Sequence, residues 1–324
     1  MVTPVGKPLG IAVLLAGLAG LALSRPPDDA PYIVVLGIAQ DGGSPQAGAK
    51  EHRGWDEPAL RHRVASLGLV DPSTGGRWLF DATPDFREQL HDLDRIAPAA
   101  GTPGLAGIFL THAHIGHYTG LMFLGHESLG ALGVKVYGMP RMREYLSGNG
   151  PWGQLVRYGN IALQGLRDGE PVRLNDRLSV TPFGVPHRQE YSEVVGYRIE
   201  GPGRSVLFIP DIDGWEKLDE TGTRIEDLIA AVDVAYLDGT FYADGEIPGR
   251  DMSGFPHPLI ARSMERFAPL PPAEKEKIRF IHLNHTNPAL RRDSDARRSI
   301  AGRGFRVAEE GETVGLRGEP SRPL

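Results

Sequence analysis

The sequence predicts a single α/β domain, and three observations carry that reading. Short apolar, β-branched runs recur along the body with a few helix-period stretches between them. No internal repeat, low-complexity linker or composition break divides the chain. The 324 residues are 40% hydrophobic and 23% charged, enough to bury a substantial core.

In chain order, Leu9 to Leu23 is a 15-residue uncharged stretch between Lys7 and Arg25-Pro26-Pro27. That layout is a signal peptide or N-terminal membrane anchor within residues 1–30, which predicts a periplasmic or secreted protein, attached to the membrane if the segment is kept. The domain then occupies 31–324. Tyr32–Gly37 reads as a strand running into the loop Asp41-Gly42-Gly43-Ser44-Pro45. Val64–Val70 and Arg77–Asp81 flank a turn-forming Asp-Pro-Ser-Thr-Gly-Gly and read as a hairpin. A helix is expected over Pro84–Leu93 and a buried strand over Gly107–Leu110. Further strands are expected at Val134–Tyr137, Leu178–Phe183, Val195–Ile199, Ser205–Ile209, Val232–Leu237 and Arg279–Leu283. Helices are expected at Pro140–Leu146, Ile225–Ala231 and Pro258–Phe267.

Composition excludes several chemistries. The absence of cysteine removes disulfides, thiolate zinc clusters, iron–sulfur centres and a cysteine nucleophile. A net charge of −6 without a basic block argues against nucleic-acid binding, so the expected partner is a small-molecule substrate. Oligomeric state is not legible in the sequence.

The chemistry concentrates at Thr111-His112-Ala113-His114-Ile115-Gly116-His117, directly after the apolar Gly107–Leu110 strand. Three of the chain's eleven histidines lie within six positions, where neutral imidazoles can converge on one cation.

Thr-His-x-His-x-x-His resembles the metallo-β-lactamase superfamily signature, usually His-x-His-x-Asp-His. Val185-Pro186-His187 followed by Gly196-Tyr197-Arg198 is similar to the third motif of the ribonuclease Z and cyclic-phosphodiesterase branch. Leu207–Asp211 resembles the strand ending in the metal-bridging aspartate, and Phe280–Pro288 the last ligand strand. Within the superfamily, Asp41–Gln46, Asp81–Asp85, Leu237–Phe241 and His282–Pro288 resemble the pyrroloquinoline-quinone biosynthesis protein B group. Together these motifs span about residues 32 to 315.

The resemblance implies an αββα four-layer sandwich, with two mixed sheets face to face, helices outside and metals in loops at one sheet edge. It implies that His112, His114 and His187 hold a first divalent metal, that His117 and His282 hold a second, and that Asp211 bridges them. His285 competes with His282 for the last position, and the Phe-Ile-His stem favours His282. Such metals lower the pKa of a bound water to about 7, supplying hydroxide at neutral pH. One or two ions of zinc suit the set, and iron and manganese suit it as well. By the same resemblance His257 is a general acid and Asp238 its orienter. Asp41, Asp85, Asp213 and Tyr191 lie near the motif loops as candidate pocket residues, whereas His52, His62, His91 and His126 lack motif context.

Two departures stand out. Ala47–Lys50 replaces the relatives' cysteine cluster, so no structural zinc is expected there, and Gly116 replaces the signature aspartate. The leading expectation is a metal-dependent hydrolase of a small ester, lactone or phosphodiester. An iron-dependent, oxygen-using enzyme is the alternative from another reaction class, and a non-catalytic binder on a site short of one carboxylate is the third. A β-lactam hydrolase is disfavoured by the Gly-Tyr-Arg and Asp-Gly-Thr-Phe segments, and a transfer-RNA nuclease by the acidic balance and the leader.

Overall fold

The computed structural model describes residues 29–318, so the Leu9–Leu23 segment lies outside the described residues. The first half of the chain builds one sheet. Strands β1 (Tyr32–Gly37), β2 (Ser66–Asp71) and β3 (Gly76–Phe80) form an antiparallel meander. Helix α1 (Phe86–Ile96) then crosses to β4 (Gly107–Phe109), which pairs parallel with β3. The short α2 (Ile115–Tyr118) leads to β5 (Val134–Gly138), and α3 (Pro140–Gly148) and α4 (Trp152–Arg157) lead to β6 (Ile161–Gly165).

The second half builds the other sheet from β7 (Val172–Arg173), β8 (Ser179–Gly184), β9 (Val195–Glu200) and β10 (Ser205–Ile209). Helices α5 (Trp215–Glu220) and α6 (Ile225–Ala230) precede β11 (Val234–Asp238), and α7 (Ile260–Arg266) and α8 (Pro272–Lys277) precede β12 (Ile278–Ile281). Helix α9 (Asp295–Gly302) leads to β13 (Arg306–Val307), and β14 (Thr313–Gly315) returns to pair with β1. The orders are β14-β1-β2-β3-β4-β5-β6 and β13-β12-β11-β10-β9-β8-β7. These are the two mixed seven-stranded sheets of the αββα sandwich.

Period-two alternation explains the layering. In β1, Ile33 and Val35 join the large cluster between the sheets, while Val34 and Leu36 join the cluster that also holds Leu90 and Leu93 of α1 and Leu146 of α3. The sheets interlock through rings: Phe80 stacks on Phe109 at 5.3 Å and meets the edge of Tyr197 at 5.4 Å. Both faces of the strands are therefore buried, which is why the central strands read as continuous apolar runs.

Several boundaries differ from the sequence reading for local reasons. The first helix begins at Phe86 rather than Pro84, and the Asp85 carboxylate instead accepts Val64 N–H at 2.8 Å. That bond holds Val64 outside the ladder, so β2 starts at Ser66. Helix α7 starts at Ile260, because Leu259 is extended and Ile260 N–H is bonded to Phe241 carbonyl. Strand β12 stops at Ile281 because His282 turns into the left-handed region, φ 64°. Strands β6, β7, β13 and β14 and helices α2, α4, α5, α8 and α9 are additions to the expected elements. Among the described residues no helix is long and apolar enough to cross a membrane.

Candidate metal centre

The loops after β1, β4, β10, β11 and β12 meet at one edge of the sandwich, where Ala39 forms parallel bridges to both Val64 and Leu283. The β4 loop supplies His112 and His114, and α2 supplies His117. Thr111 carbonyl accepts the β9 residue Val195 N–H at 3.1 Å, tying the histidine loop to the opposite sheet.

Four side chains converge first. His114 Nδ1 lies 2.8 Å from His112 Nε2 and 3.2 Å from His187 Nε2. Asp211 Oδ2 lies 3.4 Å from His112 Nε2 and 3.1 Å from His187 Nε2. A second group faces it across Asp211. His117 Nε2 is 3.3 Å from Asp41 Oδ1 and 3.8 Å from Asp211 Oδ2, and His282 Nε2 is 3.8 Å from Asp41 Oδ1. Two donors bonded to one zinc at 2.0–2.1 Å and a tetrahedral angle lie about 3.3 Å apart, so these separations suit a common cation.

The outward nitrogens are held as metal-binding imidazoles require. Thr111 Oγ1 donates its one proton to Asp81 Oδ2 at 3.0 Å, so it accepts from His112 Nδ1 at 2.9 Å, leaving the inward Nε2 as a lone pair. Thr240 repeats the arrangement, donating to Asp238 Oδ1 at 2.7 Å and accepting from His282 Nδ1 at 3.0 Å. His117 Nδ1 donates to Asp81 at 2.7 Å, His187 Nδ1 to Asp213 at 2.8 Å, and His114 Nε2 to Glu190 at 3.0 Å.

Burial decides whether this is a site. His112, His117, His187, Asp211 and His282 are buried, yet Asp41 Oδ1, His117 Nε2, Asp211 Oδ1 and His282 Nε2 have no hydrogen-bond partner among the described residues. Four buried donor atoms left without hydrogen bonds and pointed at one another are costly unless a cation receives them. The donor set therefore fits a divalent metal.

Electrostatics agree. Burial opposes the Asp211 carboxylate, but the charge of His257 and the close imidazoles of His112 and His187 hold its pKa well below the usual range. Burial and the neighbouring His117 charge depress His112. His257 Nδ1 sits 2.9 Å from Asp238 Oδ2 and 3.3 Å from Asp211 Oδ1. Burial disfavours its charged form, but the two carboxylates outweigh that and lift its pKa to about 9.

Residues 76–283 match the β-lactamase superfamily domain. The chain belongs to that family. This superfamily member is 29% identical over 317 residues to coenzyme PQQ synthesis protein B of Methylorubrum extorquens, covering 88% of this chain and all of the relative. Its structure resembles Zn(2+)-bound PqqB from Methylobacterium extorquens with a TM-score of 0.70 and 25% identity, covering 87% of this chain and 99% of that one. A diphosphatase of the PhnP family (TM-score 0.62, 19% identity, 88% and 96% covered) and the short form of human tRNase Z (0.55, 14%, 88% and 99%) share the fold.

The structure thus brings together His112, His114, His117, His187, Asp211, Asp238, His257 and His282. Of the candidate pocket residues, Asp41 enters the centre and Asp213 holds His187. Asp85 does not line it, being engaged with Val64 N–H. Tyr191 is 60% exposed and packs on Tyr145 at 5.2 Å. His285 stands half-buried beyond the His282 turn, its pKa lowered by burial and by the charge of His52. Sequence reading gives no role to Asp81, Thr240 or Glu190. The signal for Asp81 was present: an aspartate closing an apolar strand must be buried, and a buried carboxylate needs partners. It adopts φ 66°, a conformation in which aspartate is enriched, and reaches both Thr111 and His117.

Proposed function

We propose that this chain is a metal-dependent hydrolase of a small ester, lactone or phosphodiester. The observation that carries the reading is the His257–Asp238 pair set against Asp211, beside donor groups that fit divalent metals. Zinc bound there would act as a Lewis acid and lower the pKa of a coordinated water to about 7. His112, His114 and His187 would hold one ion, Asp41, His117 and His282 the other, and Asp211 would face both.

His257 supplies what hydrolysis needs besides a nucleophile. Its Nδ1 is engaged by Asp238, which orients the ring and favours its protonated form, so its other nitrogen can give a proton to a leaving oxygen. Asp238 holds the ring and also accepts Ile212 N–H at 3.0 Å, fixing it to the loop that carries Asp211. The test is turnover by the zinc-loaded protein expressed from Pro31, assayed on aryl esters, lactones and aryl phosphodiesters. Hydrolysis abolished by chelation and restored by zinc supports the reading; no turnover of any class by fully loaded protein contradicts it.

The full-length likeness to coenzyme PQQ synthesis protein B favours a second reading, an iron-dependent enzyme that uses oxygen. It predicts oxygen uptake by iron-loaded protein with a tyrosine-derived or peptide substrate. Activity with zinc alone argues against it. The third expectation, a non-catalytic binder with a degraded second metal position, rests on Gly116, and metal binding without turnover of any substrate class would favour it.

A further inference from the structure

We propose that Asp41, carried by the loop after β1, supplies the carboxylate of the second metal position, and that Gly116 is the residue that makes room for it. The inference rests on the metal-binding reading of the centre but not on which reaction it performs.

The two positions compete for one volume. A Cβ placed on residue 116 would lie 2.0 Å from Asp41 Oδ1, 2.6 Å from its Cα and 2.8 Å from its Cγ. Those distances are far inside van der Waals contact, and the Cα cannot swing aside as a side-chain tip could. An aspartate at 116 and Asp41 in its present place therefore exclude each other. Gly116 has no positive φ to explain it, so its small size is what the site uses.

The loop is built to bring Asp41 there. Gly37 lets β1 pass against the neighbouring chain, since a Cβ at 37 would meet Val64 carbonyl at 2.0 Å. Ile38 and Ala39 N–H groups then bond Arg63 carbonyl at 2.8 Å, and Gln40 N–H bonds Leu283 carbonyl at 2.8 Å, beside His282. Gly43, at φ 70°, closes the turn with its N–H on Gln40 carbonyl. Asp41 is left at the apex with Oδ1 3.3 Å from His117 Nε2 and 3.8 Å from His282 Nε2, and none of these three buried atoms has a hydrogen-bond partner among the described residues. An oxygen donor is defined by where it sits, so a carboxylate from a separate loop can serve a metal as well as one from α2.

Removing the carboxylate, and separately crowding it from α2, tests the assignment. Zinc equivalents and zinc affinity would be measured by chelator competition for the wild type, Asp41→Ala and Gly116→Ala, with visible absorption of the cobalt forms as a report on coordination. We expect two equivalents in the wild type. Asp41→Ala should bind the second equivalent at least tenfold more weakly with the first unchanged, and Gly116→Ala, which keeps Asp41 but pushes it away, should weaken the same equivalent and alter the cobalt spectrum. Melting of the metal-free proteins separates folding from binding, and Asp41→Ala is expected to melt with the wild type. The inference is overturned by a second equivalent of unchanged affinity in Asp41→Ala or in Gly116→Ala. A wild type that binds no zinc or cobalt is a different failure, one of the metal-binding reading itself.

Discussion

The His112, His114 and His187 group and the Asp41, His117 and His282 group face each other across Asp211 but are assembled in opposite ways. Two members of the first come from one loop, two residues apart, and the third from a single Pro-His turn. The second takes one residue from each of three segments, after β1, in α2 and after β12, whose numbers span most of the chain. Both groups join the two sheets, because His187 follows β8 of the second sheet while His112 and His114 follow β4 of the first. The first nevertheless has two ligands fixed by one short loop, whereas every member of the second depends on a separate tertiary contact, with Ala39 bridged to Leu283. Completion of the second group should therefore be the more sensitive to changes in the surrounding loops.

The largest expected effect comes from removing the first group. A His112→Ala, His114→Ala variant should lose hydrolysis by on the order of 10³-fold or more, since a metal supplies several kcal/mol of transition-state stabilisation at about 1.4 kcal/mol per tenfold. A steady-state assay in excess zinc checks it, and near-normal turnover would place the chemistry on the other group.

His257→Gln should cost about 10²-fold on substrates with poor leaving groups and much less on a p-nitrophenyl ester, while zinc content stays unchanged. An equal loss on both substrates would mean that the residue positions the site rather than donating the proton.

Outer partners provide the sharpest contrast between the groups. Thr240→Val should weaken zinc at the second group by roughly 10 to 100-fold through His282, and Asp213→Asn should do the same at the first through His187. Chelator competition resolves the two equivalents. If either variant weakened both sites alike, the groups would be a single coupled unit.

The smallest effect tests the wall behind the Asp41 loop. Glu310 accepts Arg63 N–H at 2.6 Å, on the segment that Ile38 and Ala39 lean against. Burial pushes its pKa from 4.5 up to about 7, partly offset by that bond and by Arg63. A raised carboxyl pKa means that the folded state holds the proton more tightly. Its contribution is complete below pH 4.5 and is lost as pH rises through 7. Relative to Glu310→Gln, the wild type should lose about 2 kcal/mol between roughly pH 5 and 8, after allowance for partial exposure. Urea unfolding across that range measures it, and parallel pH curves would contradict it.

Legibility followed the same division. Apolar strands and the histidine loop are local patterns, so β4, β10, β11 and the residues at their ends were readable. Two-residue β7 and β13 have too little length to show a period. Asp41 could be placed near the motif loops but not in the centre, because its role depends on the space beside Gly116, and contact between loops 75 residues apart is a tertiary fact. Thr111 and Thr240 were visible as motif letters, yet their work, fixing which nitrogen of His112 and His282 faces inward, depends on Asp81 and Asp238 accepting their protons.

The most direct test of the central claim is anomalous diffraction at the zinc edge from crystals of the zinc-loaded protein. Two peaks are predicted, one among His112, His114 and His187 and one among Asp41, His117 and His282, each beside Asp211. A single peak, or a second peak not contacted by Asp41, would contradict the account.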